Sequence, residues 1–280
     1  MTQHLRLGLI GDNIAKSQSP RLHALAGRQI GWDVTYDRLV PKELGLDFDA
    51  TFAHAAAHYR GVNVTYPYKE RAAKKVSVPD PLVAAIGAVN TVLFEPSGPQ
   101  GFNTDYTGFM AAYRRIRGTA KPGRVLLVGA GGVGRAIAFG LLALDADEIR
   151  LVDTDLAKAA ALADALQLAR PGLEVRCGAS VLDFIHDSDG IANGTPLGMV
   201  GIGGTPVPKD ALNHVKWVFD AVYTPVETPF LIDAAAKGLQ IISGYELFFG
   251  QGVDAFRHFS GMNIDEAPLR LAMAQEDEQP

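Results

Sequence analysis

Cysteine is almost missing from this chain: among 280 residues there is only Cys177. An internal disulfide is therefore impossible, and a lone thiol without a dense His and Cys cluster speaks against structural zinc. Its expected place is that of a small, semi-buried hydrophobe near a strand end. A dominant sign of charge is missing too, with 26 basic against 31 acidic residues. That balance builds no broad field for nucleic acid, and no basic reading helix stands out, so a nucleic-acid partner is excluded. The densest basic run, Tyr113-Arg114-Arg115-Ile116-Arg117 followed by Lys121 and Arg124, reads as the polar face and end of a helix. No apolar stretch is long enough to span a bilayer, and the first residues enter a strand-like run without a signal-peptide pattern. The expected compartment is the cytoplasm, with no membrane partner. Low complexity is confined to residues 275–280, which are expected to fray.

What is present has the balance of a globular enzyme, 48% hydrophobic and 20% charged, enough to bury a core without cross-links. Strand and helix signals alternate from the start. A strand over 5–10 is followed by a helix that Ser19-Pro20 opens and that runs to about residue 30. A strand at 35–39, a helix at 48–58 and a buried-type strand at 61–65 come next. Tyr66-Pro67-Tyr68-Lys69 then turns into another helix with Pro67 at its opening. Strands follow at 88–94 and, after a turn at 96–99, at 101–105. From Gly123 the pattern sharpens, with strands at 124–128, 148–152, 173–177, 190–193, 217–221 and 239–243. Helices fill 132–145 and 156–169, and further helices close the chain. This alternation predicts an α/β fold. The glycine-rich run 198–204 is expected to be a mobile loop or lid.

Gly129-Ala130-Gly131-Gly132-Val133-Gly134 carries the spacing G-x-G-x-x-G directly after a strand and at the mouth of a helix. The first glycine permits a tight turn, the second lets a pyrophosphate approach the backbone, and the third lets helix and strand pack closely. Unpaired N–H groups at the helix start would face that pyrophosphate. Asp153 follows the second strand of this segment, where a carboxylate can accept both adenine-ribose hydroxyls. In Asp153-Thr154-Asp155 two carboxylates would repel a 2′-phosphate, so NAD is expected ahead of NADP; Lys158, one turn into the helix, is the one cation nearby. The competing reading of Asp153 is a cap for the following helix.

Polar groups are dense at three other strand ends: Ser17-Gln18-Ser19, Asn63-Val64-Thr65-Tyr66-Pro67-Tyr68-Lys69 and Asn103-Thr104-Asp105, with Asn90 in a fourth. Strand carboxyl ends are where open α/β sheets bind ligands. Lys69 and Asp105 could converge there over a substrate hydroxyl, although such a pair is more often a surface decoration. His54 and His58 share a helix face, but without an H-E-x-x-H arrangement no metal is expected. His23 reads as part of a helix packed beneath the serine loop.

At these residues the chain resembles the shikimate dehydrogenase family, in particular its NAD-linked quinate/shikimate members. The marks run from Leu7 to about Met262. They are Ser17-Gln18-Ser19-Pro20 with His23, Asn63-Val64-Thr65 leading to Pro67 and Lys69, Gly87-Ala88-Val89-Asn90-Thr91, and Asn103-Thr104-Asp105. Asn193-Gly194-Thr195-Pro196-Leu197-Gly198-Met199, the run 220–229, and Gln251 within Gly250-Gln251-Gly252-Val253-Asp254-Ala255-Phe256 complete them.

The resemblance implies a Rossmann-type NAD-binding domain (107–242) inserted in a discontinuous α/β substrate-binding domain (1–106, completed by C-terminal helices over 243–280). It implies hydride transfer between NAD and the C3 hydroxyl of shikimate and/or quinate. Ser17, Ser19 and Tyr223 would bind the substrate carboxylate, and Thr65, Asn90, Asp105 and Gln251 would hold ring hydroxyls. Lys69 and Asp105 would be the catalytic pair, Lys69 acting either as general base or as an electrostatic anchor. Asn193, Thr195, Met199, Ala221 and Gly244 match positions on the nicotinamide side, and each has a structural alternative.

Three departures matter. The family usually has Asn-Arg-Thr at Asp153-Thr154-Asp155, which argues against an NADP-linked biosynthetic enzyme and for catabolic oxidation. Leu247, Phe248 and Phe249 stand where a methionine is usual and would reshape the nicotinamide wall. Gly194 replaces a usual alanine and would loosen its loop. The rival readings are a relative acting on another ring acid such as an aminoshikimate, and a non-catalytic NAD-binding sensor. A monomer or homodimer is expected.

Overall fold

A computed structural model describes residues 3–275. Of the segment expected to fray, everything past 275 lies outside the described residues. The chain divides into two compact units, one containing residues up to Thr104 together with those from Gln251 onward, the other Asp105–Gly250.

In the first unit, β1 (His4–Ile10) leads to α1 (Ser19–Gln29), β2 (Asp33–Leu39), α2 (Phe48–His58), β3 (Gly61–Val64), α3 (Lys69–Ala73), α4 (Pro81–Ile86), β4 (Thr91–Glu95) and β5 (Gly98–Phe102). Their sheet has the order β2-β1-β3-β4-β5. β1 pairs in parallel with both β2 and β3, so it lies inside the sheet, and Leu5, Leu7, Leu9 and Ile10 are all buried. β3, β4 and β5 pair antiparallel, an edge hairpin that the reading of a plain βα alternation did not contain. The short helix α4 was not read either, although Asp80 caps it and Pro81 opens it.

Both crossings between the units occur within a helix, α5 (Thr104–Arg117) and α9 (Gly244–Ser260). The compact units change at 104/105 and 250/251, beside the domain changes at 106/107 and 242/243 that the resemblance implies.

The second unit runs β6 (Arg124–Val128), α6 (Gly132–Ala143), β7 (Glu148–Val152), α7 (Leu156–Ala169), β8 (Glu174–Gly178), β9 (Gly190–Asn193), β10 (Trp217–Asp220), α8 (Pro229–Ala236) and β11 (Gln240–Ile242) before α9; α10 (Glu266–Ala274) follows in the first unit. Its sheet is parallel throughout, ordered β11-β10-β9-β6-β7-β8. Strand order reverses between β6 and β9, and ligands bind at that switch in doubly wound sheets. Leu126, Val128, Ile191, Val218, Phe230 and Ile185 belong to a core cluster on this sheet. The basic run forms the last turns of α5. α8 had not been read, although Thr228 caps it and Pro229 opens it.

Three local expectations are corrected. Cys177 is exposed, not semi-buried, because β8 is the sheet's outer strand and has a neighbour on one side only. Pro67 does not open a helix: the Tyr68 N–H donates to the Thr65 carbonyl at 2.9 Å, closing a turn, and α3 starts at Lys69. Thr104 and Asp105 are not at a strand end but in the first turn of α5.

α1 buries Leu22, His23, Ala26 and Gly27. The His23 ring stacks on Tyr36 at 4.8 Å between centroids. Burial drives its pKa from 6.5 to about 3, against a weaker opposing hydrogen bond with Asn63. The unfolded chain thus takes up a proton that the folded chain refuses. Stability from the neutral ring is whole above pH 6.5 and is lost as the pH falls toward 3. Between pH 6.5 and 4.5 this group should remove about 2–3 kcal/mol of unfolding free energy. Urea titrations across that range should show a flatter acid slope for His23→Phe than for the parent; equal slopes would exclude His23 as the cause.

Candidate active site

The first unit gathers the polar residues on the ends of β1, β3 and β4. Asn90 immediately precedes β4 and is 4% exposed. Its Oδ1 accepts from the Thr104 backbone N–H at 2.7 Å and from the Thr91 hydroxyl at 3.1 Å, and lies 3.1 Å from the Thr104 hydroxyl oxygen. The same bond satisfies an otherwise open donor at the start of α5. Asn90 Nδ2 lies 3.5 Å from Gln251 Oε1, which is also 3.4 Å from Thr104 Oγ1. Asn63 extends this network, its amide donating to the Asn90 carbonyl at 3.2 Å and to Thr91 Oγ1 at 3.0 Å. The Tyr36 hydroxyl donates to Asn63 Oδ1 at 2.8 Å. Burial pushes the Tyr36 hydroxyl well up, so it stays a neutral donor.

Ser17 and Ser19 pair through their hydroxyls at 3.1 Å, and the Arg38 guanidinium donates to the Ser17 carbonyl at 3.1 Å. Thr65 and Lys69 flank one turn, and the Lys69 carbonyl accepts from the Val89 N–H at 3.1 Å, beside Asn90. Lys69 belongs to the first unit, whereas Asp105, 8% exposed, opens the second. Sequence reading gave no role to Tyr36, Thr91 or Thr104. A tyrosine on a strand carries no local sign of where its hydroxyl ends, and both threonines read as strand residues.

In the second unit the glycine loop follows β6. Gly129 has φ +98°, which favours glycine, and its N–H donates to the Val152 carbonyl at 2.7 Å. A Cβ on Gly134 would stand 1.9 Å from the Gly129 carbonyl oxygen, so this glycine is required by close packing. A Cβ on Gly131 would meet nothing within 4 Å. Gly131 is also the N-cap of α6 and brings no side-chain cap, leaving the helix start open to an anion. Gly132 and Val133 begin the helix, and Ala130 is buried.

Asp153 does not cap the next helix. Asp155 does, accepting from the Ala157 and Lys158 N–H groups. Asp153 instead accepts from the Ala130 N–H of the glycine loop at 2.7 Å and from the Asp155 N–H at 2.8 Å. Burial works to raise its pKa, but these donors and the Lys158 charge outweigh it and hold the carboxylate below its ordinary range. Lys158 itself is exposed and lies 3.6 Å from Asp155.

Asn193, fully buried, spends its side chain internally. Its amide donates to Asp220 Oδ1 at 2.9 Å and to the Leu197 carbonyl at 3.1 Å, while its oxygen accepts from the Thr195 N–H and hydroxyl at 3.0 and 2.6 Å. Asp220 further accepts from the Val222 N–H at 3.0 Å and the Thr228 hydroxyl at 2.6 Å; burial pushes its pKa up against those bonds. One carboxylate thus ties the loop after β9, the end of β10 and the cap of α8. A Cβ on Gly194 would lie 2.9 Å from Gly134 Cα, so this glycine tightens the loop against the glycine turn, contrary to the expected loosening. The Ala221 N–H donates to the Asn193 carbonyl at 2.9 Å, and a Cβ on Gly244 would stand 2.4 Å from the Val222 carbonyl. Met199 is 40% exposed in a turn closed by the Gly198 N–H donating to the Gly203 carbonyl at 2.8 Å. Tyr223 stacks on Phe248 at 5.1 Å, and Leu247 and Phe249 are buried with Phe248.

Residues 9–92 match the family described as the shikimate dehydrogenase substrate binding domain. A quinate/shikimate dehydrogenase (NAD(+)) of Corynebacterium efficiens is 35% identical over 94% of this chain and 95% of its own. The chain belongs to the shikimate dehydrogenase family. A shikimate dehydrogenase (NADP(+)) of Streptomyces avermitilis is 39% identical over 98% of this chain and 97% of its own. Among solved structures, quinate dehydrogenase from Corynebacterium glutamicum in complex with NAD superposes with a TM-score of 0.91 at 32% identity, covering 97% of this chain and 99% of that one. The protein is thus an oxidoreductase of the shikimate/quinate dehydrogenase type, with a nicotinamide dinucleotide as cofactor and the two-domain α/β fold of those enzymes. Among the described residues no cluster of three or more His, Cys, Asp or Glu is placed to hold a metal, and no helix is long and apolar enough to cross a membrane.

The open space at Gly131 and the crowding at Gly134 fit a dinucleotide whose pyrophosphate touches the loop. Gly131→Ala should keep the parent melting temperature while weakening dinucleotide affinity by about tenfold or more. Gly134→Ala should lower the melting temperature itself, since its methyl meets backbone. Calorimetric unfolding with dinucleotide titration separates the two, and a stable, tight-binding Gly134→Ala would contradict the packing argument.

Proposed function

We propose that this enzyme uses NAD to oxidise, reversibly, the C3 hydroxyl of shikimate and/or quinate to the ketone. The observation that carries the cofactor preference is Asp153, held ionised by the Ala130 N–H of the glycine loop, with Asp155 beside it. A carboxylate anchored there accepts ribose hydroxyls and repels a 2′-phosphate. Relatives of both cofactor types exist, and those in Corynebacterium, similar to this chain over nearly its full length, are NAD-linked.

The second unit would hold the cofactor through Gly129, Ala130, Gly131, Gly132, Val133, Gly134 and Asp153, with Asn193, Thr195, Met199, Ala221 and Gly244 on the nicotinamide side. Asn193 would act there by shaping its loop, since its amide is engaged with Asp220, Leu197 and Thr195. Lys158 is better understood as a partner of Asp155 than as a phosphate ligand. The bound nicotinamide supplies the hydride acceptor. Ser17, Ser19 and Tyr223 bind the ring carboxylate, while Thr65, Asn90, Asp105 and Gln251 hold hydroxyls. Lys69 receives the proton of the reacting hydroxyl or holds the developing alkoxide by charge and hydrogen bond, with Asp105 as its partner.

Lys69→Ala should lower kcat by roughly a thousandfold with NAD affinity nearly unchanged. A parent-like kcat would remove its role. Initial rates for NAD and NADP against shikimate and quinate, followed by nicotinamide absorbance, test the assignment directly. NAD should win with at least one acid, and Asp153→Ala should narrow its advantage; NADP preference in the parent would overturn the cofactor assignment. Turnover of neither acid with NAD binding intact would favour the sensor.

A further inference from the structure

The amide polarity of Asn90 and Gln251 carries information about what they can bind. A backbone N–H can only donate, so the 2.7 Å bond from Thr104 fixes the Asn90 side chain with its oxygen toward α5. The Thr91 hydroxyl at 3.1 Å fills that oxygen's second lone pair, which leaves the single proton of the Thr104 hydroxyl for Gln251. Asn90 Nδ2 is therefore the atom facing Gln251, and it faces Oε1 at 3.5 Å. Turning the Gln251 amide over would bring two NH2 groups together, donor against donor. Thr104 Oγ1, 3.4 Å from the same Oε1, takes up its other side. Gln251 Nε2 then points away from both neighbours. The half-buried Gln251 side chain makes no other hydrogen bond among the described residues, so the unspent valences of both amides are N–H donors.

Resting on the reading of these residues as ring-hydroxyl ligands, we propose that Asn90 and Gln251 form a donor-only pair that accepts an oxygen lone pair of the ring, hydroxyl or carbonyl, and rejects a ring ammonium. A hydroxyl or ketone oxygen satisfies such donors. An ammonium has no lone pair, and its protons would stand against N–H groups, one of them on the buried Asn90. At the ring position it meets, the pair thereby favours a hydroxyl over an ammonium, in opposition to any ring position held by the Asp105 carboxylate. The code is written by the Thr104 backbone, which no side-chain rotation can reverse.

The test compares ring acids in which each ring hydroxyl other than the reacting one is replaced in turn by hydrogen and by an amine. At neutral pH at least one amino analogue should show kcat/KM about tenfold or more below its deoxy counterpart, and a calorimetric Kd weaker in the same sense. The penalty should shrink as the pH rises through the analogue's own amine pKa, where a lone pair appears. Gln251→Glu, which replaces the outward donor by an acceptor, should shift the amino-to-deoxy ratio about tenfold or more toward the amine. If the parent oxidises the hydroxy acids but handles every amino analogue as well as the deoxy one, the donor-only pair is wrong while the dehydrogenase reading stands. If it neither oxidises nor binds the hydroxy acids, both fall. A Gln251→Glu protein that does not fold leaves the parent comparison to decide.

Discussion

The hydrogen bond from the Thr104 N–H to Asn90 Oδ1 is the constraint on which the substrate side depends. It joins the residue before β4 to the first residue of α5, the helix through which the chain passes from one unit to the other. Because the donor is main chain, Asn90 cannot rotate without opening the helix start, and Gln251 takes its orientation from Asn90. Thr91, Asn63 and Tyr36 extend the same network back to the strands beside β1. Polar residues in a buried site cost free energy unless each partner is met, and here each bond is also a specification of direction.

On the cofactor side the corresponding constraint is steric. Gly129, Gly134 and Gly194 lie so close that a methyl on Gly134 or Gly194 would press against neighbouring backbone. This contact holds the loops after β6 and β9 together at the point where strand order reverses. Around it, two carboxylates do separate work. Asp153 reaches back to the glycine loop and remains ionised, whereas Asp220 is buried and binds three donors from three segments. The first keeps a charged carboxylate beside the glycine loop, and the second fastens the loops after β9 and β10 to the cap of α8.

Much of the architecture was legible because it follows from local periodicity. The boundaries of β6, β7, α7 and β9 coincide with those expected, since buried parallel strands read as short apolar runs and their helices are rich in Ala and Leu. Expectations failed where a non-local bond decides. Asp105 is helical because Asn90, just before β4, accepts from the start of that helix, whereas Pro67 sits in a turn closed locally by the Tyr68 N–H donating to the Thr65 carbonyl. Cys177 is exposed because β8 happens to be the outer strand, a matter of sheet order. Gly194 suggested looseness as an isolated residue but tightness once Gly134 lies beside it.

The sequence by itself determined the α/β class, the family, the glycine loop and the acidic residue after β7, since spacing and residue type suffice for each. Only the tertiary structure decided that Asp153 bonds the loop instead of capping a helix, that Asn193 is occupied by Asp220, and that Asn90 and Gln251 turn their N–H groups outward. The physical reason is that an amide or carboxylate has no preferred direction of its own. Which atom is spent inward, and which is left for a ligand, is fixed by donors that the fold brings from other strands and helices.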